Sequence, residues 1–176
     1  MPPTLPEGLI RQAAKWVATY IANQRDAFQD KARPITPDLR QQLQAFFPSD
    51  VLSQVRVVQG RAEEPGFYPQ LRALGIRNAP PFSDMAGITF QEIVVHAEPL
   101  SVQLLFHELV HAVQYKHLGL EGFAERYVRG FLTGGSYEEI PLEKQAYELE
   151  GKFAENPSAV FSVEDDVKAR IRMNQL

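Results

Sequence analysis

Apolar residues recur at helical spacing in the first part of the chain, separated by charged and polar positions. Between residues 7 and 32 this repeat predicts one long amphipathic helix, which Pro34 would end. Thr36 followed by Pro37 is typical of a helix start and predicts a short helix to about Phe46. The apolar positions of the long helix are Leu9, Ile10, Ala13, Trp16, Val17, Tyr20, Ile21 and Phe28.

Further helices are indicated in the second half of the chain. Residues 102–118 contain neither glycine nor proline, with Pro99 or Ser101 near the first turn and Gly119 at the C-terminal stop. The others are predicted over residues 121–132, closed by Gly134-Gly135, over residues 141–154, with Pro141 in the first turn, and over residues 163–173, with a capping box that begins at Ser162.

Strand patterns occur in two short stretches. Residues 53–59 are rich in valine and indicate a strand after a turn at 48–50. Residues 86–97 contain two apolar runs, 87–90 and 93–96. Gln91-Glu92 between these runs is either a tight turn that joins two strands or the middle of a single strand.

The order of these elements predicts an α+β fold that is mostly helical, with a small sheet preceding the helix at 102–118. The stretch 60–85 is interrupted by proline and glycine and adds only a short helical piece near residues 69–74. With 176 residues and no internal repeat, the chain 1–176 is predicted to form a single domain.

Composition narrows the classes of function. Hydrophobic residues make up 44% and charged residues 23% of the chain, as in ordinary globular proteins. The net charge of −4 and the lack of a basic stripe argue against a nucleic-acid partner. No apolar run predicts a membrane span, and residues 1–7 lack signal-peptide features, so the default expectation is a cytoplasmic protein. Without cysteine, disulfides and thiol chemistry are excluded.

One stretch specifies a chemistry: His107-Glu108-Leu109-Val110-His111. It matches the H-E-x-x-H pattern of a zinc site on a helix, in which the glutamate activates a zinc-bound water. The two histidines are one turn apart and about 40° around the helix axis, so both rings project from one face. Glu108 lies about 100° from His107, where it can reach a bound water without being a ligand.

Two other interpretations of the histidine pair are less favourable. Histidines on a helix often serve packing or the surface, but two at this spacing, with glutamate directly after the first, favour a metal site. Structural zinc sites are usually rich in cysteine, and this chain has none. A catalytic zinc, which takes three protein ligands and a water, is therefore the preferred hypothesis.

The third ligand is predicted to be Glu143. It lies in the first turn of the helix at 141–154, which can present its carboxylate to the metal when packed against the motif helix. His117 has the spacing of a three-histidine site, but that site needs a glycine break where this chain has Gln114. On a continuous helix His117 would be rotated by about −80° and carried about 15 Å away. The competing carboxylates nearby are Glu138, Glu139, Glu148 and Glu150.

These segments resemble the gluzincin-type zinc metallopeptidases of the zincin superfamily. The run 106–115, together with Glu-x-x-Ala beginning at Glu143, is similar to small bacterial zincin-like domains, and the resemblance covers residues 86–154, the expected metal-site core. It implies a zincin-like domain in which His107, His111 and Glu143 bind Zn²⁺ and Glu108 is the general base. It also implies that strand 86–96 is the sheet edge along which an extended substrate lies.

One position departs from the gluzincin pattern. Many gluzincins carry Asp or Asn four residues after the third ligand, where this chain has Tyr147. The sequence therefore assigns no residue to support a ligand histidine. Nor does it rank the possible donors to the oxyanion, which are Tyr127, Tyr137, Tyr147 and His117.

The function implied is a zinc-dependent hydrolase, expected to be a metallopeptidase acting on a peptide or protein substrate. One alternative is a binding or scaffold module of zincin fold that keeps the metal without turnover. Another is a hydrolase of a non-peptide amide. Glu108 favours an enzyme over a scaffold, because it is needed for the chemistry but not for metal binding.

Overall fold

The computed structural model describes residues 6–77, 79–134 and 136–176, and in these ranges the predicted α+β class is confirmed. The helices are α1 Glu7–Gln29, α2 Pro37–Leu43, α3 Ser49–Gln54, α4 Tyr68–Ala73, α5 Val102–Gly134, α6 Pro141–Glu155 and α7 Val163–Arg172. The strands are β1 Arg33–Pro34, β2 Arg56–Gln59, β3 Gly87–Phe90 and β4 Ile93–His96. None of the described helices combines the length and apolar character that crossing a membrane requires.

The described strands form one sheet in the order β1-β2-β4-β3. β2 is parallel to β4, whereas β1 is antiparallel to β2 and β3 is antiparallel to β4. Gln91 has a positive φ of 59° and, with Glu92, forms the tight turn of the β3–β4 hairpin. Of the two possibilities that the sequence left open, the turn is therefore correct.

Of this hairpin, only β3 lies at the edge of the described sheet. The prediction of an edge strand over 86–96 is correct for Gly87–Phe90 but wrong for β4, which pairs with β2 on its other side. Ile93, Val94 and Val95 are all buried. A continuous apolar run of this kind is typical of a central strand that is covered on both faces.

The region around residue 50 differs from the prediction. The turn predicted at 48–50 and the strand predicted from residue 53 are wrong in part, because Ser49–Gln54 form α3 and β2 begins at Arg56. Val51 and Leu52 of α3 are buried, so core packing of one helical turn outweighs the β-propensity of this segment. The two-residue strand β1 was not predicted, and α1 and α2 end three residues earlier than expected.

The motif helix α5 begins where the sequence predicts. Ser101 caps it, since its Oγ accepts a hydrogen bond from the backbone N–H of Leu104 at 3.0 Å. Gly119 has φ 69° and ψ 173° and interrupts the helix as expected, so α5 consists of two helical parts that meet at a kink. The second part extends to Gly134, and Gly135 lies outside the described residues.

Helix α5 is central to the core and packs against α6, α1 and β3. Its fully buried residues include Leu105, Phe106, Leu109, Val110 and Val113. Phe106 stacks on Phe153 of α6, with ring centroids 4.6 Å apart and an interplanar angle of 12°. Ala146 of α6 is 0% exposed, and the α5–α6 pair formed in this way carries the candidate site.

Candidate metal centre

Three side chains from α5 and α6 meet at one buried point. The Nε2 atoms of His107 and His111 are 3.2 Å apart. They lie 3.4 and 3.2 Å, respectively, from Oε2 of Glu143. In this group each residue offers one ligand atom, and these atoms all lie within 4.8 Å of one another. The structure thus brings together the three residues predicted as ligands, and such a group could hold a metal ion.

The outer nitrogens of the two imidazoles point to oxygen acceptors. Nδ1 of His107 lies 3.0 Å from Oε2 of Glu150, and Nδ1 of His111 lies 2.8 Å from Oε1 of Gln114. In the neutral rings both Nδ1 atoms therefore donate, which leaves the Nε2 lone pairs directed at Glu143. Metal-binding histidines are commonly oriented in this way by a hydrogen bond at the other ring nitrogen.

The electrostatics of the group favour a bound positive charge. Oε2 of Glu143 is buried and has no hydrogen-bond partner of acceptable geometry among the described residues. Burial disfavours the charged forms of His107 and Glu143. Nevertheless, the carboxylates of Glu143 and Glu150 raise the pKa of His107 to about 10. The two imidazoles lower the pKa of Glu143 to about 2. At these distances the two Nε2 lone pairs and the Glu143 carboxylate repel one another unless a proton or a metal ion lies among them. This set of donor atoms therefore fits a cation.

Glu108 lies beside this group but outside it. Its Oε2 accepts a hydrogen bond from the Thr89 hydroxyl at 2.7 Å, and burial raises the pKa of its carboxyl group. Gly87 leaves room for it, because a Cβ at that position would come within 2.6 Å of Glu108 Oε1. Strand β3, which supplies Thr89 and Gly87, therefore holds the Glu108 carboxylate in place from the side opposite α5.

A small cavity joins Glu108 to the metal-binding group. Its volume is about 40 Å³, and Glu108, His111 and Glu143 all line it. The rest of its wall is largely apolar and aromatic and comes from α1, β3, α5 and the segment 82–85 that precedes β3. It includes Val17, Ile21, Phe82, Met85, Ile88 and Phe123. A cavity of this size and polarity can hold water molecules next to the three polar side chains.

The four candidate oxyanion donors occupy different places. Tyr127 and Tyr137 line the cavity, and the Tyr127 hydroxyl is buried without a hydrogen-bond partner in the part of the chain that the structure describes. Burial and the Glu143 carboxylate raise the pKa of Tyr137, which keeps it a donor. Tyr147 packs on His107 at a centroid distance of 4.5 Å and is 47% exposed. His117 contacts Glu164 at 2.8 Å and is not part of the metal-binding group.

Two of the competing carboxylates pair with cations outside the ligand group, whereas Glu150 contacts one of its histidines. Glu139 forms an ion pair with Lys144 at 2.7 Å, and Glu148 pairs with Arg170. Glu150 has the supporting role that the sequence left unassigned, since it contacts His107 from two helical turns beyond Glu143. Tyr147 stands at the position where many gluzincins carry Asp or Asn, and it packs against the ring instead.

Sequence reasoning missed several residues that support the centre. Gln114 follows His111 by three positions and Glu150 follows Glu143 by seven, so helical spacing could have indicated both. Thr89, Gly87 and Gln145 reach the site only through tertiary packing, and no local pattern indicates them.

Comparisons of the chain with protein-family models, curated proteins and solved structures found no match.

Proposed function

We propose that this protein is a zinc-dependent hydrolase of the zincin type that cleaves peptide bonds. One observation carries the proposal: His107, His111 and Glu143 converge on one point, while Glu108 lines the same cavity without belonging to that group. This separates the ligands of an ion from a carboxylate that is free to move a proton.

The donor set supports zinc as the metal. Two imidazole nitrogens and one carboxylate oxygen form the His₂Glu set of catalytic zinc sites, in which a fourth position is left for water. Harder ions such as Mg²⁺ and Ca²⁺ prefer sites made only of oxygen atoms. Bound here, zinc would supply Lewis acidity that activates water for attack on a carbonyl carbon.

Within this mechanism Glu108 is the general base. Its carboxylate takes a proton from the attacking water and passes it to the amine that leaves when the C–N bond breaks. The hydrogen bond from Thr89 keeps the carboxylate aimed into the cavity. A pKa raised by burial makes Glu108 a stronger base than an exposed glutamate. Tyr127 and Tyr137, which both line the cavity, are the candidate donors for the developing oxyanion.

The test compares wild-type protein with Glu108→Gln, using a mixture of short peptides analysed by mass spectrometry. We expect one zinc per chain in both proteins, with hydrolysis at least about 10²-fold slower in the variant, the scale of general-base removal. Loss of zinc from Glu108→Gln would instead make Glu108 a ligand and would contradict the proposed mechanism.

One observation favours a second candidate, a module that keeps the metal without turnover. The three ligands and Glu108 are only 3–6% exposed, and the cavity of about 40 Å³ is too small for a peptide. Peptide access then requires movement of the surrounding elements. In this alternative the wild-type protein binds zinc but cleaves none of the peptides, so the same experiment distinguishes the two.

A further inference from the structure

A chain of buried amides leads from His111 to the surface of α7. His111 Nδ1 donates to Gln114 Oε1, and Gln114 Nε2 donates to Gln145 Oε1 at 3.0 Å. Gln145 Nε2 then donates to Asp166 Oδ1 at 2.7 Å. Both glutamines are 0% exposed, so this Gln114–Gln145–Asp166 relay runs through the core and reaches solvent only at its last member.

Two groups that can only accept hydrogen bonds give the relay its direction. The carboxylate of Asp166 requires the NH₂ end of Gln145, which turns the oxygen of Gln145 towards Gln114. The backbone carbonyl of Leu142 likewise accepts from Gln114 Nε2, at 2.9 Å. The oxygen of Gln114 must then face His111, so that Nδ1 carries the hydrogen and the lone pair is on Nε2.

The opposite orientation of Gln114 would prevent metal binding through Nε2. An NH₂ group facing Nδ1 would make that nitrogen the acceptor and place the ring hydrogen on Nε2. The relay is buried away from water. In such surroundings hydrogen bonds are stronger, and an amide left unpaired is costly. The Asp166 carboxylate at the far end of the relay therefore influences, through Gln145 and Gln114, which ring nitrogen of His111 carries the hydrogen.

We propose that Asp166 and Gln145 are positioning residues that hold His111 in its metal-binding tautomer, which makes α7 part of the centre although no residue of α7 belongs to the ligand group. The inference rests on the proposed zinc site. It assigns different supports to the two histidines: a carboxylate, Glu150, for His107 and a neutral amide backed by a distant carboxylate for His111.

The test uses Asp166, because its side chain is 34% exposed and can be changed without leaving a core cavity. Zinc affinity is measured by chelator competition, and the ligand geometry by the visible absorption of the cobalt-substituted protein. We expect Asp166→Ala to weaken zinc binding by roughly tenfold, at the low end of supporting-residue effects, and to shift the cobalt bands. Asp165→Ala is the matched control, since it removes an exposed acid from the same first turn of α7.

Asp166→Asn separates hydrogen-bond acceptance from a general structural role. Its amide oxygen can take the place of Oδ1 and accept from both Gln145 and Arg170, so we expect zinc affinity within about threefold of wild type. A loss equal to that of Asp166→Ala would overturn the proposal. Affinity and spectrum of Asp166→Ala that match Asp165→Ala would overturn it too, while leaving the zinc site intact. Failure of the wild-type protein to bind zinc would overturn the proposed function, and this inference with it.

Discussion

Glu143 and His117 are the two candidate third ligands weighed against each other from the sequence, and the structure gives them different surroundings. Glu143 is 3% exposed and faces both imidazoles, whereas His117 contacts Glu164 on α7. We expect Glu143→Ala to weaken zinc binding by at least about 100-fold, because a ligand is lost, and His117→Ala to leave it within about threefold. Chelator competition on the two single variants measures the difference. A large loss confined to His117→Ala would support a three-histidine site instead.

A substitution at Gly87 tests whether the position of the Glu108 carboxylate matters for hydrolysis. A methyl group there would come within 2.6 Å of Glu108 Oε1 and displace the proposed base, while the ligand group is untouched. Gly87→Ala should therefore keep its zinc but lower kcat by about tenfold or more, since small displacements of a catalytic group are costly. Gly66→Ala is the control, because apart from its chain neighbours no described residue comes within 4 Å of the added methyl group. Equal activity of the two variants would show that the position of Glu108 is not critical.

The residues of the centre differ in how far the sequence reveals them. His107, Glu108 and His111 could be predicted because helical spacing is a local property. Glu143 could be predicted because it lies in the first turn of a helix that can pack against the motif helix. Which carboxylate supports His107 depends on how α6 is rotated against α5, so the sequence assigned no residue to this role and offered Glu150 only as a competing third ligand. The contact between Thr89 and Glu108 depends on the docking of a strand, which local spacing does not encode.

Among the elements, α6 contributes most to the organisation of the centre. It supplies Glu143 to the ligand group, Glu150 to His107, and both Gln145 and the Leu142 carbonyl to Gln114. The stability of this one helix should therefore affect every part of the site.

Substitutions at one glycine in α6 and one in α5 are expected to change the free energy of unfolding in opposite directions. Gly151 lies inside α6, and beyond the helix's own backbone no atom of the described residues comes within 4 Å of an added Cβ. Gly151→Ala should therefore raise the free energy of unfolding by about 0.5–1 kcal/mol. Gly119 combines a φ of 69° with a ψ of 173° at the kink of α5, a conformation that is essentially restricted to glycine, so Gly119→Ala should lower the free energy of unfolding by about 1–3 kcal/mol. Denaturant unfolding followed by circular dichroism measures both. A stabilising Gly119→Ala would indicate that the kink is not maintained in solution.

Helices and strands could be predicted from the sequence to different degrees, according to how far a local pattern decides their conformation. The long helices carry several turns of apolar repeat, and most were predicted with only small shifts at their ends. α3 and β1 are short, and their conformation is decided by packing and pairing with distant residues. The position of β4 in the centre of the sheet likewise depends on β2, far away in the sequence.

For the whole molecule, zinc should act as a cross-link between α5 and α6. A metal that binds the folded chain and not the unfolded one stabilises it by about 2.7 kcal/mol when its free concentration is 100 times Kd. Removal of zinc with a chelator should therefore lower Tm, and added zinc should restore it. The double variant His107→Ala with His111→Ala should show no such response in differential scanning calorimetry. A zinc-dependent Tm in that variant would place the metal elsewhere.

The deep burial of the ligand group also has a kinetic consequence. With His107, His111 and Glu143 each at most 6% exposed, a bound ion cannot exchange with solvent one ligand at a time. Release requires α6 to separate locally from α5, so the residence time of the ion is set by the opening rate of that helix pair. Metal exchange and amide hydrogen exchange in α6 should then have a common temperature dependence, that of a local unfolding event.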